Sequence, residues 1–244
     1  MLRHLKTTFA ILALAGSLFS TQSWADIVIS GTRIIYHGEK NDVSVRLENK
    51  GTRPLLVQNW IDTGNDNVEP GTIKVPFNAT PPVSRVEPQK GQTVKIMFTG
   101  AQKLPADRES VFWFNVLEVP PKADNKEAKS ILQLAFRTRI KLFYRPQGIP
   151  DDASSAASKL KWSVKTVQGK AVLQASNPTP YFVSFNSCEL NVGGKKYPVE
   201  AGMAEPLTQT TFNVKGLTGA VSAGNINYTS INDFGGITNG TASL

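Results

Sequence analysis

Ile131-Leu-Gln-Leu-Ala-Phe-Arg-Thr-Arg-Ile-Lys-Leu-Phe-Tyr-Arg145 runs without a single turn residue. Leu132, Leu134, Phe136, Ile140, Leu142 and Tyr144 share one parity, broken only by Thr138. Gln133, Arg137, Arg139, Lys141 and Arg145 share the other, with Ala135 and Phe143 among them. Alternation of this kind predicts a strand with one apolar and one basic face. At about 3.3 Å per residue the strand would reach roughly 50 Å, against about 17–20 Å for an ordinary one. One small domain does not need such a length. The run either carries the chain from one domain into the next or leaves an edge that can template another chain.

The rest of the chain has the same character. Ile27–Ile29, Ile34–Tyr36, Val43/Val45/Leu47, Leu55–Ile61 and Val94/Ile96/Phe98 are short strand signals separated by turn residues such as Asn49-Lys50-Gly51 and Lys90-Gly91. Val111–Val119 is apolar on both faces, as a central strand should be, and Pro120-Pro121 ends it. Pro81-Pro82 marks a rigid turn. No helical period of useful length occurs, which points to a β-sandwich. Pro146-Gln-Gly-Ile-Pro150 and the small polar run from Asp151 to Ser158 mark a domain boundary. Strand signals then resume at Leu160–Val167, Ala171–Ala175, Tyr181–Phe185, Thr210–Val214 and Ile226–Ile231, with a hairpin turn at Gly193-Gly194. The reading is all-β: a first domain over residues 26–147 and a second over 148–244.

Residues 1–25 are read as a signal peptide. Arg3 and Lys6 precede the apolar stretch Phe9–Phe19, and Ser23-Trp24-Ala25 is a small-x-small cleavage site. The apolar run is too short to span about 30 Å of bilayer, so no membrane insertion is expected after cleavage. Removing Arg3 and Lys6 from the 27 basic residues leaves 25 against 19 acidic, a formal charge of +6 over 219 residues. With no recognition helix and no aromatic RNA motif, nucleic acid is not an expected partner. A basic surface suits an acidic or carboxylate-bearing protein instead. Cys188 is the only cysteine, so no intramolecular disulfide can form, and its setting is that of a small buried hydrophobe. His37 is the only histidine outside the signal peptide, and no serine-nucleophile elbow or metal motif is present. The chain is therefore not read as an enzyme, and no cofactor or metal is expected.

A set of motifs occurs in order along the chain: Gly31-Thr-Arg-Ile-Ile-Tyr36, Ala79-Thr-Pro-Pro-Val-Ser-Arg85, Leu104-Pro-Ala-Asp-Arg-Glu-Ser110, Phe112–Pro121 and Ile140-Lys-Leu-Phe-Tyr-Arg-Pro146. Asn177-Pro-Thr-Pro-Tyr181 and Ile231-Asn-Asp-Phe-Gly-Gly236 follow. Together they resemble the periplasmic chaperones of the chaperone–usher pilus pathway, in the EcpD-like branch. The segment Pro120–Ser130 is short and Cys188 has no mate, which matches the family's short-loop members. The resemblance implies two immunoglobulin-like β-sandwiches in an L-shaped arrangement. It implies a chain that binds pilin subunits by donor-strand complementation and delivers them to an outer-membrane usher. It leaves open a self-capping dimer of the free chain. The competing reading is an exported two-domain sandwich with a structural or adhesive role at the surface. A pilin, however, would be one domain with a free N-terminal extension.

By the same resemblance, Arg33 and Lys141 grip the subunit's terminal carboxylate, and two cations in a shielded cleft suit one anionic chain end. Leu132, Leu134 and Phe136 are the donor residues. Glu109, Arg145 and Asp233 form a charged network between the domains. Lys141 has the opposite parity from the donor stripe, so twist or a bulge is expected to re-aim one of the two.

Overall fold

The computed structural model describes residues 26–122, 133–150, 152–219 and 221–244. The expected signal peptide (residues 1–25) and the expected donor residue Leu132 lie outside them. The first sandwich has two sheets. One takes β1 (Ile27–Ile29), β3 (Val43–Asn49), β7 (Gly91–Phe98) and β5 (Phe77–Thr80) in the order β1-β3-β7-β5. The other takes β2 (Arg33–His37), β9 (Phe136–Arg145), β8 (Ser110–Val119), β4 (Leu55–Asp62) and β6 (Val83–Val86) in the order β2-β9-β8-β4-β6. The chain changes sheets between β1 and β2 at Gly31, whose φ of 98° only glycine adopts readily. Leu47, Val94 and Ile96 of the first sheet pack on Tyr36, Phe114 and Leu142 of the second, all of them fully buried.

Strand β8 lies in the middle of its sheet and buries side chains of both parities, as a sequence apolar on both faces predicts. β9 begins only at Phe136, pairing with Glu118, so the strand is shorter than the alternation suggests. Its partner explains the start. β8 ends at Val119, and Pro120-Pro121 beyond it has no N–H with which to extend the ladder. The basic face also differs from expectation. Phe143 and Arg145 are buried, and Arg139 and Lys141 are half-buried, because other elements cover that side.

In the second sandwich β10 (Lys161–Val167), β11 (Lys170–Asn177) and β15 (Thr208–Thr218) form one half. β12 (Val183–Val192), β14 (Met203–Ala204), β16 (Asn225–Ile231) and β17 (Ile237–Ser243) form the other. β13 (Lys195–Glu200) joins them, pairing with β12 at its start and with β15 at its end. The halves close on one another through aromatic contacts, with Phe185 of β12 5.8 Å from Phe212 of β15 and Trp162 of β10 5.9 Å from Tyr228 of β16. Gly193-Gly194 is the two-residue turn of the β12–β13 hairpin, with both φ angles positive, at 56° and 80°. The small polar run after Pro150 contains a 3-10 helix, Ala153–Lys159, whose Ala156 enters the core. Pro81-Pro82 does turn the chain, with the cis bond at Thr80–Pro81. Cys188 is buried in this second core, and burial pushes its thiol up to about 12.

Candidate functional site

Strand β9 is accompanied on one side by β8 from Phe136 to Tyr144. On the other side β2 accompanies it, in parallel, only from Lys141 to Arg145. Phe136 to Ile140 therefore present backbone N–H and C=O groups to which no described strand is paired. Leu134 and Phe136 are each 54% exposed beside that open edge. Of the twist or bulge expected to re-aim the donor stripe or Lys141, no bulge occurs from Phe136 onward. β9 keeps one continuous register with β8 from Phe136 to Tyr144, so Lys141 stays on the face opposite Phe136. No re-aiming is needed, because a strand laid beside β9 lies in the plane of the sheet, between its two faces. Such a strand, running parallel in the lane that β2 occupies farther on, would end its chain at the start of β2.

Arg33 opens β2 directly opposite Lys141. Register partners in a parallel pair project to the same face, so the two cations stand side by side. Arg33 Nη1 donates to the backbone oxygen of Ile231 at 2.9 Å, and its guanidinium lies 5.7 Å from the centre of the Phe143 ring. Arg33 Nε is buried with no hydrogen-bond partner among the described residues. Lys141 makes no ion pair among them. Burial lowers both basicities: it does so for Arg33 against the pull of Asp233 and Glu109, and for Lys141 with help from the charge of Arg33. Two adjacent cations with depressed basicity and an unused buried donor make a site that an anion would satisfy.

Farther along the same face, the second sandwich closes on the first. Arg145 donates through Nε to Glu109 Oε1 at 2.9 Å, and through Nη1 and Nη2 to the two oxygens of Asp233 at 2.9 and 3.2 Å. Glu109 Oε2 accepts the N–H of Phe182 at 2.9 Å, and its own N–H donates to Pro180 O. Phe143 meets Phe182 at 5.8 Å, and the Arg145 guanidinium lies 5.1 Å from the centre of the Tyr181 ring. Burial alone would make Arg145 less basic, but Asp233 and Glu109 hold it above the ordinary arginine value. Asp233→Ala is accordingly expected to lower stability by about 1–3 kcal/mol, since Asp233 is itself one-third exposed and Glu109 stays in place. Thermal melts and small-angle scattering check this; an unchanged melting temperature and domain angle would remove the network's role.

Residues 26–150 match the family described as "Pili and flagellar-assembly chaperone, PapD N-terminal domain", and residues 155–242 match "Pili assembly chaperone PapD, C-terminal domain". The chain belongs to the PapD family of pilus-assembly chaperones. It is 53% identical to the probable fimbrial chaperone YadV of Escherichia coli K12 over the full length of both chains. It is 45% identical to the chaperone protein FimB/FhaD of Bordetella pertussis, over 88% of this chain and 86% of that one. The crystal structure of the YadV chaperone superposes with a TM-score of 0.78 at 51% identity, covering 90% of this chain and 100% of that one. A Salmonella enterica SafB chaperone, solved in complex with the SafA pilin, superposes at 0.73 with 26% identity, covering 92% of this chain and 98% of SafB.

One cluster in this chaperone was not legible in the sequence. Asp62, at the end of β4, is buried and receives both neighbouring arginines of β9: Arg139 Nη2 at 2.6 Å and Arg137 Nη2 at 3.3 Å. Asn115 of β8 donates to the same carboxylate at 2.8 Å and accepts from Arg137 Nε at 2.9 Å. Arg137 lies over Trp60 and Arg139 over Trp113, with ring centres 4.9 and 5.6 Å away. The open stretch of β9 is thus pinned from behind, with Phe136 left facing the other way. The alternation shows the arginines but not the acid they share, which lies far away in sequence on a strand of apolar neighbours.

Proposed function

We propose that this chain is a periplasmic chaperone, made of sandwiches over residues 26–147 and 148–244 behind a cleaved signal peptide. It binds pilin subunits by donor-strand complementation, keeps them from aggregating or assembling early, and delivers them to an outer-membrane usher. The observation that carries the reading is the half-covered β9. Among the described residues its edge is open from Phe136 to Ile140, and the open lane stops at Arg33 and Lys141, two partly buried cations that form no ion pair there. Strand addition at a sheet edge is an established recognition mode, with chaperone–pilin pairs among its examples: main-chain bonds supply affinity and alternate side chains supply specificity. Leu132, Leu134 and Phe136 are the side chains offered to the subunit, and Arg33 with Lys141 takes its terminal carboxylate. The pilin bound to the related SafB chaperone supports this choice of partner.

Co-expression with a pilin from the same fimbrial system tests the reading. The two proteins are expected to purify from the periplasm at one-to-one stoichiometry, with the pilin protected from proteolysis. Pilin that is degraded equally with and without this chain would refute it and favour a surface role.

A further inference from the structure

The hairpin between β16 and β17 carries an aromatic side chain for which the fold itself has no use. Phe234 is 95% exposed. Its loop is nonetheless tightly built. Asn232 Oδ1 accepts the N–H groups of Phe234 at 3.1 Å and Gly236 at 2.8 Å, and backbone bonds link Asn232 with both Gly235 and Gly236. Asp233 is gripped by Arg145. Gly235 has φ of 81°, and a Cβ there would sit 2.5 Å from Thr32 Oγ1, so both conformation and space demand glycine. The turn therefore rests on the residue before Arg33, while Ile231 at the base of the hairpin accepts the Arg33 guanidinium. Phe234 stands between these two contacts and lines a cavity with Arg33 and Phe143.

We infer that Phe234 is a subunit-contacting residue, a preset anchor for an apolar side chain within the last few residues of the captured chain. The inference rests on the donor-strand reading. A chain lying in the open lane beside Phe136–Ile140 and ending at Arg33 brings its final residues up to the hairpin. The two cations then fix which end of the partner arrives there. An aromatic ring on a rigid turn loses little freedom on contact, and such preset aromatics dominate interface energetics. The hairpin sits on the second sandwich, so Phe234 gives that domain a direct part in recognition.

The experiment measures binding of a synthetic pilin C-terminal peptide to the full chain by calorimetry, with wild type, Phe234→Ser, Phe234→Tyr and Arg33→Ala. Phe234→Ser is expected to weaken binding about 5- to 30-fold, with melting temperature and circular dichroism unchanged and with Phe234→Tyr retaining affinity. Replacing the apolar residues near the peptide terminus by serine should cost wild type the same factor and Phe234→Ser almost nothing more. Equal affinities of wild type and Phe234→Ser for a peptide that still needs its free carboxylate and Arg33 would overturn the inference alone. Binding that ignores amidation and Arg33→Ala would overturn it together with the clamp. A dimer of the free chain that Phe234→Ser dissociates, with peptide affinity unchanged, would assign the ring to self-association instead.

Discussion

Arg33→Ala and Lys141→Ala are each expected to abolish stable complexes with a pilin while the free chain stays folded. Either change leaves a partly desolvated carboxylate half-satisfied, which costs on the order of 2–5 kcal/mol of binding, or roughly 30- to several-thousand-fold. The free chain is expected to keep its circular dichroism. Lys141 has no ion-pair partner to strand among the described residues, so the Lys141→Ala melting temperature should not fall. Arg33 gives up one bond to Ile231 O, worth about 1 kcal/mol. A pH titration adds a second readout. Burial and the charge of Arg33 hold the Lys141 ammonium below the ordinary lysine range, and a bound carboxylate would restore it. Binding is then coupled to proton uptake, and affinity should fall as pH rises through the depressed value. The free fold should respond in the opposite sense. Between the depressed value and the ordinary one, the unfolded chain holds more protons, so stability rises with pH. Amidating the peptide terminus should weaken binding to wild type and scarcely alter either variant. Equal weakening of all three would remove Arg33 and Lys141 from the carboxylate's partners.

Leu134→Asp is expected to eliminate the complex by another route. A charge carried into an apolar groove without a partner costs several kcal/mol. The free chain should be indifferent, because Leu134 is more than half exposed and lies outside the paired ladder. Phe136→Asp should behave likewise, though it sits on the first paired residue of β9. Pull-down of a co-expressed pilin reads the effect directly, and normal recovery with Leu134→Asp would count decisively against strand donation. The two variant pairs separate the contributions: amidation should still matter to whatever binding survives in the apolar series and not in the cationic one.

Most strands of the first sandwich were foreshadowed by its turns, and the central place of β8 by the doubly apolar Val111–Val119, because period and punctuation are local properties; the order of the strands was not. The length of β9 was not, since the proline pair that stops its partner acts across the sheet rather than along the chain. The pairing of Arg33 with Lys141 and of Arg145 with Glu109 and Asp233 spans the fold, and only the ordered motifs pointed to it. Composition and periodicity are silent about such contacts. Asp62 had no signal at all: a single acid closing an apolar strand reads as a solvated end until the sheet brings two arginines over it. Phe234 was visible only as one letter of a glycine-rich motif, and its exposure follows from a turn anchored at Thr32.

The single buried thiol of Cys188 has a consequence for how the chain matures. With one sulfhydryl there is no pairing to form, sort or repair, and thiol chemistry is slow, taking seconds to hours. Strand registry and turn chemistry carry the instruction instead, so no step toward the working shape waits on thiol pairing. That route is the same whether the surroundings are oxidising or reducing.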